Sequence, residues 1–180
     1  MFTFHYQLTE EEYFEYFLHH NYSIPKFRKR LMKEKYLAAA LLVVCAFIAA
    51  PTVDRPLIFY IVLGVGFIGW MAVYRKLIEW NMRKTVKTIK ESGKAPYAND
   101  FHASFEEERL LTWTDDTQVS TNYSAFEKIV TGENALYLYV NANSAFILPH
   151  RIFASDEERE ALMQFLKQKA NVEVIAGVTK

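Results

Sequence analysis

The chain has 180 residues, 21 Lys and Arg balanced by 21 Asp and Glu, and a single cysteine. That length allows one or two domains. The even charge offers no basic surplus for nucleic acid, and one cysteine excludes an internal disulfide. The neutral average mixes an apolar middle with a polar C-terminal half, and aromatics reach 16%, a surplus that suits membrane interfaces and small aromatic cores alike.

The N-terminus, MFTFHYQLTEEEYFEYF, lacks the basic region, apolar core and small-residue cleavage site of a secretory signal. The first apolar stretch is therefore expected to stay as an anchor. Phe2, Phe4 and Tyr6 alternate with Thr3, His5 and Gln7, which predicts a strand. Thr9 and Glu12 form a capping box, with Leu8 and Tyr13 placed as a hydrophobic staple. A helix from about Glu10 to His20 follows. Past Pro25 a new helix is expected near Lys26, running directly into the apolar stretch.

Tyr36 to Val53 (YLAAALLVVCAFIAAPTV) and Leu57 to Tyr74 (LIFYIVLGVGFIGWMAVY) contain no charged residue. Each runs about 27 Å as a helix, close to a bilayer core. Neither has the polar stripe of a soluble core helix. Only Asp54-Arg55-Pro56 separates them, with Pro51 and Pro56 bracketing the link, so the reading is a transmembrane hairpin of antiparallel neighbours. Cys45 acts as a small apolar side chain within the first run. Gly64, Gly66 and Gly69 match G-x-G-x-x-G but lack the second strand and acidic residue of a dinucleotide site. They are read as close-packing residues of a transmembrane helix, together with Ala38, Ala39, Ala46 and Ala50.

Basic residues flank both runs: Lys26, Arg28, Lys29 and Arg30 before the first, Arg75, Lys76, Arg83 and Lys84 after the second. The link offers only Arg55. Positive-inside then predicts a multi-pass protein of the cytoplasmic membrane with both termini cytoplasmic. The same eight residues are the candidate contacts for anionic lipid, at about 1 kcal/mol per well-placed cation. Setting topology alone also accounts for them.

The helix after the second run is expected to reach about Glu91, with Leu77, Ile78, Met82, Val86 and Ile89 on its apolar side, and to end at Ser92-Gly93-Lys94-Ala95-Pro96. From Phe101 the pattern becomes strand-like: FHASFEEE, LLTWT, TQVSTNY, SAFEKIV, ALYLYV and SAFILPH. Asp115-Asp116, Gly132-Glu133-Asn134 and Asn141-Ala142-Asn143 supply turns. These six strands predict an antiparallel meander curling toward a barrel or sandwich. Ser155 and Glu158 form a second capping box, and Ala161, Leu162, Phe165 and Leu166 stripe the helix that follows. The tail NVEVIAGVTK reads as a short strand or loose end.

The expected fold class is α+β: a two-helix transmembrane hairpin plus an antiparallel β-barrel or sheet closed by a C-terminal helix, the plan of a pleckstrin-homology (PH)-like domain. Residues 1–25 would dock on a cytoplasmic domain of residues 97–180, with residues 26–91 inserted as the hairpin and its basic extensions.

The N-terminal FTFHYQLTEEEYFEYF and the stretch from Tyr123 to Leu166 resemble the YcxB-like family of small bacterial membrane proteins. In the second stretch Phe126, Ile129, Leu136, Leu138, Ile147, Pro149, Arg151 and Phe153 occupy positions of the family pattern. Phe126 departs from it, since many relatives have Trp there. The resemblance implies a membrane-anchored PH-like cytoplasmic domain and implies no activity.

No residues are assigned to catalysis, to a cofactor or to a metal. His5, His19, His20, His102 and His150 show no ligand spacing. The acidic clusters Glu10–Glu12 and Asp156–Glu158 suit helix first turns, and Glu106–Glu108 a strand end. Apart from Cys45 and the tyrosines, the apolar runs lack the ionisable residue an ion pathway usually needs. Arg151, after the last strand, is the candidate contact for an anion or partner, or else pairs with a nearby carboxylate. Three functions remain. The first is a non-enzymatic anchored module that binds a protein segment or lipid head groups at the inner membrane face. The second is a subunit or regulator assembling, with itself or another protein, through the hairpin. An enzyme or transporter is the third and least supported.

Overall fold

A computed structural model describes residues 2–49, 56–92, 95–115 and 117–176. In order it contains β1 (Phe2–Gln7), α1 (Glu10–Ser23), α2 (Pro25–Ala49), α3 (Pro56–Glu91), β2 (Asp100–Phe105), β3 (Arg109–Trp113), β4 (Gln118–Asn122), β5 (Lys128–Thr131), β6 (Ala135–Asn141), β7 (Ser144–Pro149), α4 (Asp156–Ala170) and β8 (Val174–Ala176). The class is α+β. The chain divides into two compact units, Met1–His20 with Thr88–Lys180, and Asn21–Lys87.

The first unit is built on two four-stranded sheets, ordered β1-β2-β3-β4 and β7-β6-β5-β8. β1 lies antiparallel to β2 from Phe2↔Phe105 to Gln7↔Asp100. Alternation puts Phe4, Ala103, Phe105 and Leu110 on one face of the first sheet, all buried. Ile129, Leu136, Leu138 and Leu148 are buried on the second sheet, and Leu162 and Leu166 on α4. The Phe165 ring of α4 meets Phe2 at 6.0 Å and Tyr123 at 5.4 Å. Thr131 Oγ1 of β5 donates to Met163 Sδ at 4.0 Å, so the helix touches both sheets. Its start is the expected cap: Glu158 N–H donates to Ser155 Oγ at 3.3 Å.

Two points refine the expected barrel or sandwich of antiparallel strands. The strands form two sheets, and none closes into a barrel among the described residues, because β4 and β5 do not pair. The intervening residues Tyr123–Ala125 form a 3-10 turn instead of extending β5, and Tyr123 is buried with its hydroxyl donating to Glu106 O at 2.7 Å. Burying that ring turns the chain inward and breaks the strand run. Nor is the second sheet wholly antiparallel: β8 joins β5 in parallel, Val130↔Ile175 among its pairs.

β6 is buried on both faces. Leu136 and Leu138 face the core, while Tyr137 and Tyr139 alternate to the other side and meet α1. α1 begins with the expected capping box: Thr9 N–H donates to Glu12 Oε2 at 2.8 Å and Glu12 N–H to Thr9 Oγ1 at 3.2 Å. It runs one turn past His20, to Ser23.

In the second unit α2 and α3 are antiparallel neighbours. Tyr74 Oη donates to Leu31 O at 3.0 Å near one end, and the Phe47 and Tyr60 rings lie 6.4 Å apart near the other. Pro25 opens α2 and Pro56 opens α3, each at a first turn where no amide hydrogen is missed. Among the described residues, one helix, Leu57–Glu91, is long and apolar enough to cross a membrane, and none of its apolar window is buried. The charge-free run of α2 is described as far as Ala49. The remainder of that expected span, the Asp54-Arg55 link, Gly93-Lys94, Asp116 and residues 177–180 lie outside the described residues. Among the described residues nothing packs against the glycines: a Cβ at Gly64, Gly66 or Gly69 would meet nothing within 4 Å.

Gly132 is the opposite case. A Cβ there would sit 2.7 Å from Tyr137 Cε2 and 2.9 Å from Ala135 O. Tyr137 is held between the sheet and α1 and cannot step aside. Gly132→Ala is therefore expected to cost about 1–3 kcal/mol, read as a lowered unfolding midpoint in detergent. An unchanged midpoint would mean the turn yields freely.

Candidate functional site

The expected lipid-contact residues fall at one end of the helix pair. Because Tyr74 reaches Leu31, Arg28, Lys29 and Arg30 of α2 and Arg75 and Lys76 of α3 share that end. Lys26 lies one turn before them, and Arg83 and Lys84 two turns beyond. Arg30 Nε is 2.7 Å from Glu34 and Arg75 Nε is 3.0 Å from Glu79. Both are solvated i,i+4 pairs that add little to stability. Lys84 Nζ sits 3.6 Å over the Trp80 ring and Lys35 Nζ 5.8 Å over Tyr74. Lys29, Met32, Lys33, Tyr36, Leu37 and Ala40 line one shallow concave stripe of α2. Apolar stems and rings with cationic heads beyond them are what a polar–apolar boundary requires.

Arg151 takes the carboxylate pairing that the sequence left open. It follows β7 in a 3-10 turn, His150–Ile152. Its Nε donates to Glu12 Oε1 at 2.7 Å, and its Nη2 donates to Glu12 Oε2 at 3.1 Å and to Gln7 O. Burial raises the Glu12 carboxyl, but the Arg151 fork and the Thr9 N–H outweigh it and hold the group below its usual range. One carboxylate thereby caps α1 and ties it to the end of β7.

Two ring clusters went unrecognised in the sequence. Where α1 covers β6, Tyr16 and His19 lie 5.6 and 5.4 Å from Tyr137, and His20 lies 6.2 Å from Tyr139. His19 Nδ1 is 3.4 Å from the Tyr139 hydroxyl, and Lys128 Nζ sits 4.5 Å from the Tyr139 ring. His20 Nδ1 is buried and has no partner among the described residues. Burial pushes both imidazoles down, and the Lys128 ammonium adds to it. The alternation of ALYLYV could have placed Tyr137 and Tyr139 on one face, but not their partners.

On the exposed face of the first sheet, His5, His102 and Trp113 form a stack across β1, β2 and β3. The His5–His102 centroids are 4.2 Å apart and those of His102–Trp113 5.0 Å, with the latter planes 2° apart. The strand register aligns these three positions with Gln118. Beside Trp113 is an open depression of about 560 Å³ lined by Leu111, Trp113, Thr114, Asp115, Thr117 and Gln118. No trio of metal-ligating side chains converges anywhere among the described residues.

A known family describes part of the two sheets and most of the closing helix, from the end of β2 into α4. Residues 105–166 match the model of the YcxB-like protein family. The YcxB-like segment therefore contains β3 to β7 and most of α4, including the depression, Arg151 and the β6 tyrosines. No curated protein and no solved structure matches the chain.

The histidine cluster makes α1 docking sensitive to acid. The imidazoles are neutral when packed, and an undocked histidine protonates near its ordinary value of 6.5. As pH falls through that value the open segment takes up protons that the packed cluster refuses, so docking weakens. Hydrogen exchange in α1, corrected for intrinsic rate, is expected to speed up between about pH 7.5 and about pH 5.5. His19→Gln with His20→Gln should abolish that dependence; a wild-type profile that is already flat would contradict it.

Proposed function

We propose that the protein is a membrane-anchored binding module. In this reading α2 and α3 cross the cytoplasmic membrane as a hairpin. They hold a PH-like unit at the inner face, where it binds a protein segment or lipid head groups without catalysing a reaction. The observation that carries the reading is the β1–β2 pairing. β1 precedes α2 and β2 follows α3. A single crossing would leave the two strands on opposite sides of a hydrocarbon core about 30 Å thick. Chain that leaves and re-enters one folded unit must cross an even number of times. α3 is apolar and unburied, and α2, its antiparallel neighbour, is free of charge from Tyr36 to Ala49. The basic flanks then favour cytoplasmic ends. The PH-like description draws on the two sheets, the closing α4 and the YcxB-like match.

Site-specific labelling tests the topology. In a Cys45→Ala background, Asp54→Cys should react with a membrane-impermeant maleimide on intact cells. Ser92→Cys and Thr3→Cys should react only after permeabilisation. Equal labelling of all three from outside, or protection of Asp54→Cys alone, contradicts the reading.

One observation favours the second function, assembly through the hairpin. No described residue fills the space beside Gly64, Gly66 and Gly69, and small residues admit a neighbouring helix closely. Gly66→Leu should then shift the protein to a smaller species on native gels; unchanged migration removes this reading.

A further inference from the structure

We infer that the free edge of β4 is a docking strand for an extended peptide segment of a partner protein, apolar in the middle and basic at both ends. The inference rests on the protein-segment reading above and names the surface and chemistry it would use.

Sheet edges are where backbone donors and acceptors go unpaired. Among the described residues four strands stand at edges, and they differ in what occupies them. β1 is held by Arg151, which donates to Gln7 O. The β7 carbonyl of Ile147 accepts from Tyr6 Oη at 2.7 Å. β8 is only three residues long. β4 is five residues, almost fully exposed, and ends its sheet.

The ladder tells which β4 groups point outward. Thr114 N–H donates to Thr117 O at 2.8 Å and Tyr123 N–H to Glu108 O at 3.5 Å. Antiparallel pairs alternate between hydrogen-bonded and open. Val119 and Thr121, in phase with Thr117 and Tyr123, therefore bond to β3, and Gln118, Ser120 and Asn122 direct their N–H and C=O groups away from it. The β4 sequence, QVSTN, has no charged residue and no proline, the devices that normally block an edge. An incoming strand would find its backbone partners ready-made.

The surroundings choose the occupant. The depression walled by Leu111 and Trp113 lies beside the edge, and an added strand would turn every second side chain over that face. This favours an apolar or aromatic residue in the middle. Exposed Asp115 precedes β4, and exposed Glu107 and Glu108 lie at its far end; Arg109 nearby is paired with Glu106 at 3.0 Å. The strip is neutral in the middle and anionic at both ends. A second copy is disfavoured in either orientation. Antiparallel pairing about Ser120 sets Asp115 of each copy toward Glu108 of the other, and parallel pairing sets like residues together. Lys or Arg at both ends of a foreign segment meets carboxylates instead.

The test uses the full chain in detergent micelles with fluorescein-labelled synthetic peptides followed by anisotropy. The probe is Lys-Arg-Thr-Val-Phe-Val-Thr-Lys-Arg, with a counterpart bearing Glu and Asp at its ends. The basic-ended peptide should bind, and the acidic-ended one should bind at least about tenfold more weakly. Ser120→Pro removes an outward N–H without touching the β3 ladder and should weaken binding by a similar factor. Asp115→Lys with Glu108→Lys should reverse the preference between the peptides, a change that partial unfolding would not produce. Four results overturn the inference: no binding by the wild type, equal affinity for both peptides, undiminished binding by Ser120→Pro, or a Ser120-dependent dimer without peptide. Each leaves the anchored-module reading to the maleimide pattern, which does not depend on β4.

Discussion

β1 and β2 pair from Phe2↔Phe105 to Gln7↔Asp100, although all of α2 and α3 lies between them in sequence. A flexible loop of that length would cost about 4 kcal/mol to close. The antiparallel run of α2 and α3 lowers that cost, because their paired ends return the chain to the side it left. The register is not easily surrendered. Phe4 and Tyr6 are buried, and a slip of one residue would turn them out to solvent and put Thr3 and His5 inside. From this pairing follow the unity of the first compact unit, the even number of crossings proposed for the helices, and the identity of β4 as the far edge of the sheet.

Around that pairing several further contacts fasten the N-terminal segment, and two of them bear on its response to acid. Arg151 and Glu12 join β1, α1 and the end of β7 through one guanidinium and one carboxylate. Farther along α1, Tyr16, His19 and His20 cover Tyr137 and Tyr139, which makes β6 a central strand buried on both faces. The two fastenings respond differently to acid. Glu12 is held below its usual carboxylate range, so its link persists after the imidazoles have begun to protonate. The end of α1 that carries His19 and His20 is therefore expected to loosen first.

Local chemistry was legible in the sequence wherever one element decides its own structure. Thr9 with Glu12 and Ser155 with Glu158 marked helix starts, because a cap is satisfied within three residues. Alternation located six strands between Phe101 and Pro149 to within a few residues. What failed depended on contacts far apart. Tyr123 breaks the strand run by burying its ring, which alternation cannot foresee. For Arg151 the sequence offered a carboxylate partner or an anion, but it could not name Glu12, 139 residues away, as the carboxylate. The stack of His5, His102 and Trp113 exists only once two registers are fixed, and a list of histidines searched for ligand spacing could not reveal it. The glycines of α3 suggested close packing, yet no described residue packs against them.

The central claim is that β1 and β2 share one side of the membrane and one sheet while the helices are inserted. His5 and His102 are cross-strand partners with rings 4.2 Å apart, so cysteines there would lie within disulfide reach. The decisive measurement is oxidative cross-linking of His5→Cys with His102→Cys in a Cys45→Ala background, performed in native membranes. The account predicts a near-complete intramolecular cross-link, with His5→Cys paired to Ser120→Cys as a negative control. Two free thiols that an impermeant reagent reaches from opposite faces would contradict it.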